Sequence, residues 1–331
     1  MKYFLYFLLS LGACYCLDDR IGREEFVRFK TIYQKSYANI YEESLRYQIF
    51  AMNLNRIAAV NTDFNNRRSP YKLAINQYSD LAYNEFLSRR GGFLPTLTTM
   101  RSSSSISDIP RKKKLNQARQ IAAFDWRDTG YVTPVKNQQS CRVCWAFAAT
   151  GAIETQWAIY YGRLRNLSEQ NLIDCVGGGG CRANSMQNAY NYVKTNGGIN
   201  GAVKYPYLNN ASVCKYFTDS PVANISDYRR IESGNEKELE QAVREYGPVS
   251  VGVHASPDFI NYYGGIFNAS DCTEGLNHAV LIVGFNNVNN PPFWIAKNSW
   301  GSWWGENGYI RIIKNINACG IANMASYPII V

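Results

Sequence analysis

The stretch Gln138-Gln139-Ser140-Cys141-Arg142-Val143-Cys144-Trp145-Ala146-Phe147 holds two cysteines three apart, with a glutamine six residues before the second. Apolar residues then recur at helical spacing from Cys144 to Tyr161, and Gly162 supplies a C′ glycine. This is the layout of a thiol nucleophile at a helix N-terminus with an amide donor placed to hold an oxyanion. Cys-x-x-Cys has three chemical readings. A structural zinc site takes about four ligands, and a chain with two histidines and no second Cys-x-x-Cys does not supply them. A thioredoxin-type redox pair belongs in a βαβ context that is missing here. The third reading puts one cysteine in a disulfide and makes the other a nucleophile. That nucleophile needs a base, because the thiolate is the reactive form and a free thiol is mostly protonated at neutral pH.

Only His254 and His278 are available. His278 opens an apolar run in Leu276-Asn277-His278-Ala279-Val280, 134 residues after Cys144, and Lys297-Asn298-Ser299-Trp300-Gly301 follows twenty residues later. An asparagine there can accept from the second ring nitrogen and orient the imidazole, with Trp300 shielding the bond from water. A lone histidine is more often structural. Cys, His and Asn in this order, on loops between apolar elements, favour the catalytic reading.

These residues must be positioned by two kinds of element. The helix from Cys144 is followed by a second opening at Ser168, a possible N-cap, and a third over 185–195. Beyond about 245 the pattern turns to strands at Val249–His254, Ala279–Phe285, Phe293–Lys297 and Tyr309–Lys314. A helical half preceding a sheet half predicts an α+β protein with a cleft between two lobes. Upstream, residues 20–61 read as helices, and Glu42, Arg46, Phe50, Asn53, Ile57 and Asn61 share one helical stripe suited to docking. Residues 71–82 read as a short strand and turn. Residues 90–119, with Gly91-Gly92, Pro95, four serines from Ser102 and the run Arg111-Lys112-Lys113-Lys114, read as a flexible cationic linker open to proteolysis.

The net charge of +9 does not point to nucleic acid. Residues 1–119 carry 19 Lys and Arg against 10 Asp and Glu, whereas residues 120–331 carry 16 of each. No basic stripe interleaved with aromatics marks the second part. No run of about 18 apolar residues marks a membrane span. Tyr3 to Leu11, behind Lys2 and ending in small residues, reads as a secretory signal peptide cut around Cys14 to Leu17. Seven cysteines then remain, an odd number that suggests three disulfides and one free thiol in an oxidising compartment. Sequons at Asn166, Asn210, Asn224 and Asn268 fit a secreted chain.

Together these motifs resemble a papain-family cysteine protease of the cathepsin L-like subgroup over nearly the whole length. The stripe from Glu42 to Asn61 is similar to that subgroup's pro-segment motif at all six positions. Ala74-x-Asn76-x-Tyr78-x-Asp80 resembles the second motif, with Ala and Tyr in place of Gly and Phe. Asp125-Trp126-Arg127, Pro134-Val135-Lys136-Asn137-Gln138 and Asn298-Ser299-Trp300-Gly301 with Trp304-Gly305 carry the rest. The resemblance implies a papain-like two-lobe fold, a helical left lobe (mainly 120–230) and a β-barrel-like right lobe (mainly 231–331). A signal peptide (1–16) and a helical, I29-like inhibitory pro-segment (17–119) would precede the mature domain (120–331). It implies a secretory, lysosomal or extracellular zymogen of a cysteine endopeptidase without metal or cofactor, monomeric, acting on proteins and peptides. Its own pro-segment and cystatin-type inhibitors would be partners.

By the same resemblance Cys144 would be the nucleophile and His278 its ion-pair partner, later the general acid. Asn298 would orient His278, and Gln138 with the Cys144 N–H would form the oxyanion hole. Disulfides would join Cys141–Cys181, Cys175–Cys214 and Cys272–Cys319. Met186, Leu276, Ala279 and Met324, with Gly252 nearby, would line a pocket for a bulky apolar P2 residue, and Trp300 would flank the substrate. Pro-segment carboxylates would protonate in acid and loosen the block, and cleavage near 111–121 would release the enzyme. Two departures stand out. Arg142-Val143 and Arg182-Ala183-Asn184 replace glycine-containing segments around the S1 wall, where side chains narrow the cleft or demand strained dihedrals. The alternative they raise is a fold homologue with weak or no activity that acts as a binding or structural protein.

Overall fold

The computed structural model describes residues 19–95, 121–177, 180–268, 271–272 and 275–330. The signal-peptide reading and all but the last residue of the 111–121 cleavage region lie outside them. Helix α1 (Asp19–Ile32) and helix α2 (Ile40–Asn65) come first. Asn39 caps α2 by accepting from the Tyr41 and Glu42 N–H groups, and Phe26, Phe29 and Phe50 form the aromatic core between the two helices. The stripe on α2 docks against the chain's own next segment. Arg46 makes a bidentate pair with Glu85 at 2.5 and 2.9 Å, Asn53 donates to the Ser79 carbonyl, and Asn61 both accepts from and donates to the Leu73 main chain. Strand β1 (Tyr71–Leu73) and helix α3 (Tyr83–Arg90), the latter not foreseen from sequence, are thereby fixed to α2.

Three helices build one lobe of the remaining chain: α4 (Cys144–Tyr161), α5 (Glu169–Cys175) and α6 (Met186–Thr195). Gly162 ends α4 at φ 70°, and Ser168 caps α5 by accepting from the Asn171 N–H. Helix α4 is buried on nearly every side, so its Glu154 is 0% exposed and pairs with Lys136 at 2.7 Å. Lys136 also reaches Glu169 at 2.6 Å, which satisfies both buried carboxylates.

The strands are β2 (Ala123–Asp125), β3 (Asp227–Arg230), β4 (Val249–Val253), β5 (Tyr262–Phe267), β6 (His278–Asn286), β7 (Phe293–Lys297), β8 (Tyr309–Ile313) and β9 (Ala325–Ile329). They form a sheet ordered β1-β5-β8-β7-β6-β4-β9-β3, with β2 paired to β6. Two more helices, α7 (Glu236–Glu245) and α8 (Pro257–Ile260), pack with it. Sheet residues also occur before residue 230, and helix occurs after it. Residues 123–125 and 227–230 belong to the sheet, and α7 is a helix on the sheet side whose apolar Leu239, Ala242 and Val243 are buried. Strand β1 adds to the edge of the sheet by antiparallel pairing with β5, so the first part of the chain extends the fold of the second. Its Ile57, Tyr71, Leu73, Tyr78 and Phe86 share one continuous core with the sheet.

Candidate active site

Cys144 is the first residue of α4, where the helix N-terminus contributes positive potential. It is wholly buried, and among the described residues it is the one free cysteine. Disulfides join Cys141 to Cys181, Cys175 to Cys214 and Cys272 to Cys319. Helix α4 lies so close to β6 that a Cβ at Gly151 would stand 2.8 Å from the Leu281 side chain. That approach carries the helix start toward the start of β6, where His278 sits.

Strands β6 and β7 are antiparallel, with Leu281 opposite Lys297, so His278 and Asn298 meet at the same end of the sheet. Their Nε2–Oδ1 distance is 2.8 Å. The Asn298 oxygen also accepts from the Ser299 N–H at 2.8 Å, which fixes which end of the amide faces the ring. A carbonyl oxygen can only accept, so His278 carries its proton on Nε2. Its Nδ1 has no hydrogen-bond partner among the described residues. Trp300, itself 0% exposed, lies 4.6 Å from the imidazole between ring centroids, inclined by 31°.

Gln138 is held across the lobes. Its N–H donates to the Ser299 carbonyl at 2.8 Å, and its side-chain oxygen accepts from the Ser299 hydroxyl at 2.7 Å. The amide nitrogen is thus turned toward the cleft, where it donates to the Cys141 and Arg90 carbonyls, each at 3.0 Å.

Arg90 belongs to the first part of the chain, and the segment after it fills the cleft. The Asn184 N–H donates to the Gly92 carbonyl at 2.9 Å, and the Leu94 N–H donates to the Asn184 carbonyl at 3.0 Å. Phe93 consequently pairs with Asn184 in parallel. The Phe93 ring lies over Gly252 and is 4% exposed. Met186 and Ala279 join it in one packed cluster, with Leu276 and Met324 partly buried against that cluster. The flexible linker read from residue 90 therefore starts too early. Gly91 and Gly92 are buried glycines of close approach, because a Cβ on Gly92 would stand 2.4 Å from the Arg142 carbonyl oxygen. In sequence the Gly-Gly pair reads as a mark of flexibility, and nothing in its composition distinguishes the two uses.

Burial under this segment sets the protonation states. It pushes the Cys144 thiol up to about 12, against backbone hydrogen bonds from Ala279 and Gly92 that lower it. It also lowers His278 to about 4, against the Asn298 hydrogen bond that raises it. Both groups are neutral at physiological pH while covered.

The departures from glycine around the cleft introduce no left-handed backbone. None of Arg142, Val143, Arg182, Ala183 or Asn184 has positive φ, and the one such non-glycine residue in the loop is Gln139 at φ 51°. Side chains fill that space instead. The Arg142 Nε donates to the Gly91 carbonyl at 2.7 Å, while Arg182 is exposed and its main-chain oxygen accepts from the Trp145 indole at 3.0 Å.

His254, the other histidine, is engaged with other groups. Its Nδ1 faces the Gly275 carbonyl at 3.0 Å, and its Nε2 lies 3.3 Å from the Tyr83 hydroxyl of α3. The Asn277 amide donates to that hydroxyl at 3.0 Å. This polar anchor between the two parts of the chain was not found from sequence, because Tyr83 belongs to no periodic pattern. Asn166, Asn210, Asn224 and Asn268 are all exposed.

A buried thiol at a helix start, an imidazole oriented by a carboxamide, and the chain's own extended segment laid over both define a thiol hydrolase in a self-covered form. Residues 121–329 match the family described as papain family cysteine protease, and residues 26–86 match the cathepsin propeptide inhibitor domain (I29). The chain belongs to the papain family of cysteine proteases. It is 38% identical over 337 residues to cathepsin L of Sarcophaga peregrina, covering 97% of this chain and 98% of that one. It is 38% identical over 309 residues to digestive cysteine proteinase 2 of Homarus americanus, covering 91% and 93%. The solved structure of digestive procathepsin L2 proteinase from Tenebrio molitor larval midgut aligns with TM-score 0.83 at 37% identity, covering 93% of this chain and 100% of that one. The fold is papain-like with a helical propeptide, and the protein is a cathepsin L-like cysteine endopeptidase carried with its own inhibitory pro-segment. Among the described residues no helix is long and apolar enough to cross a membrane.

Proposed function

We propose that Cys144 is the nucleophile that attacks the scissile carbonyl and that His278 forms the ion pair with it and protonates the leaving amine. Asn298 holds the imidazole, and Gln138 with the Cys144 N–H stabilises the oxyanion. The observation that carries this reading is the pro-segment itself. Its Arg90 carbonyl takes the Gln138 amide, and its Phe93 fills the apolar pocket beside the buried thiol. A substrate carbonyl would take over the same amide donor, and a bulky apolar P2 side chain would take over the place of Phe93. Pocket residues Met186, Leu276, Ala279 and Met324 offer no charge to a P2 arginine, whose burial unpaired is costly. Trp300 acts through His278, covering its bond to Asn298.

We further infer a signal peptide over 1–16, a pro-segment over 17–119 and a mature domain over 120–331, with passage through the secretory pathway to a lysosomal or extracellular site. Glycans on the exposed Asn166, Asn210, Asn224 and Asn268, a monomeric enzyme and cystatin-type inhibitors as partners belong to the same reading.

The test is titration of the activated protein with a thiol-directed epoxide inhibitor. One equivalent should attach to Cys144, and His278→Ala should abolish the labelling. Failure of the wild type to label, or undiminished labelling of His278→Ala, would remove the assignment.

A further inference from the structure

The trace of the pro-segment locates the subsite next to the nucleophile. Phe93 lies in the apolar pocket, and Gly92 contacts the Cys144 thiol and the Arg142 main chain. A substrate runs the opposite way along Asn184. With its apolar P2 residue in the same pocket, its next residue, P1, falls where Gly92 now lies, beside Arg142. The half-buried Arg142 guanidinium reaches across this position to the Gly91 carbonyl at 2.7 Å. That acceptor departs with the pro-segment. No carboxylate among the described residues forms an ion pair with Arg142, so the cation beside this position is not neutralised by a protein carboxylate. A half-buried guanidinium left without an acceptor is costly, and a carboxylate is its best partner, taking two parallel hydrogen bonds.

We propose that Arg142 is a specificity-determining residue that selects an acidic side chain at P1, so that the preferred substrates are peptides cut after Glu or Asp that follows a bulky apolar residue. This rests on Cys144 being the nucleophile.

The experiment uses quenched fluorescent peptides with Leu at P2 that differ only in Glu, Gln or Lys at P1. They are assayed at pH 6 on activated enzyme whose live thiol is counted by epoxide titration. Wild type should cut the Glu peptide with kcat/KM roughly 5- to 10-fold above the Gln peptide, a size set by a half-exposed, charge-assisted pair. The ratio should shrink toward one as salt rises from about 0.05 to about 0.5 M. Arg142→Gly should bring the ratio to about one, and Arg142→Glu should make Lys preferred over Glu at P1. A wild-type ratio within about twofold of one, or a ratio untouched by salt, would overturn the proposal with the titrated thiol intact, and needs no variant to fold. An enzyme that titrates no thiol and cuts no peptide would overturn the assignment of Cys144 and this inference with it.

Discussion

Gly92→Ala tests whether the pro-segment blocks the cleft by close backbone approach. A Cβ built on Gly92 stands 2.4 Å from the Arg142 carbonyl oxygen, 2.5 Å from its carbon and 3.0 Å from the Val143 nitrogen. These are main-chain atoms of the loop that leads into α4, closed by the Cys141–Cys181 disulfide and by the Val143 N–H to Cys141 carbonyl bond at 2.9 Å. They do not move aside as a side-chain tip would. Ordinary contacts need about 3.5 Å, so the segment must lift by about 1 Å. That lengthens the bond from the Asn184 N–H to the Gly92 carbonyl, now 2.9 Å. Overpacking costs about 1–3 kcal/mol and a lost hydrogen bond about 1 kcal/mol. The sum, about 2–4 kcal/mol, raises the open population roughly 30- to 700-fold at about 1.4 kcal/mol per tenfold.

The assay is alkylation of Cys144 by iodoacetamide in the intact zymogen at neutral pH, followed by mass spectrometry, which also reports any processing. Where closing outpaces alkylation, the rate tracks the open fraction. Among the described residues every other cysteine is in a disulfide, so the signal is specific. Leu94→Ala, at a side chain 55% exposed, should change the rate less than about twofold. A Gly92→Ala rate within twofold of wild type, with unchanged thermal stability, would refute the close-approach argument.

Asn61→Ala removes both hydrogen bonds that hold the Leu73 main chain, a loss of about 2 kcal/mol. The same alkylation should then run at least about tenfold faster. Glu154→Ala leaves Lys136 with Glu169 alone in a buried site and should cost about 3 kcal/mol, lowering Tm by roughly 6–12 °C in a calorimetric scan. Glu85→Gln should move the midpoint pH of self-processing toward neutrality, followed by gel over a pH series. Asp258→Asn should not move that midpoint toward neutrality, whatever it does to the rate.

The helix from Cys144 to Tyr161, its glycine stop, the Ser168 cap and the strand ending at Lys297 were legible because each rests on local periodicity or capping chemistry. The meeting of His278 with Asn298 was legible because only two histidines exist to choose from. Helix α7 escaped because Glu236–Glu245 carries seven polar or charged residues and reads as a surface stretch, although its three apolar residues reach the core. Strand β2 is three residues long and paired only through the distant β6, so no local pattern marks it. The cleft-filling use of Gly91-Gly92 lies in what those glycines approach, which spacing does not encode.

The acid sensitivity expected of the pro-segment does not come from the nucleophile. Passing a proton from Cys144 to His278 when the cover lifts changes charge on both groups but takes up no net proton, so it leaves release independent of pH. Two partly buried carboxylates of the pro-segment contacts are then candidates, and their shifts have opposite signs. Asp258, on the sheet side, meets pro-segment Arg56 at 2.9 Å and accepts from Tyr71 at 2.7 Å, yet burial first and Asp271 after it leave its pKa raised. A raised carboxyl favours the docked form below its exposed value and loses that contribution as pH climbs, so acid tightens this contact. Glu85 is the reverse. The Arg46 hydrogen bonds hold its carboxyl below 4.5, so their contribution is present above that value and is lost as pH falls through the lowered pKa. Arg46 also donates to the Asp80 carbonyl of the turn that carries Tyr78 onto Trp300 and Trp303, a turn that Lys35, Tyr37 and Asn53 hold as well. Acid is therefore expected to act inside the pro-segment by weakening the pairing of α3 with α2, while Tyr83 and the buried Phe86 still hold α3 to the sheet side.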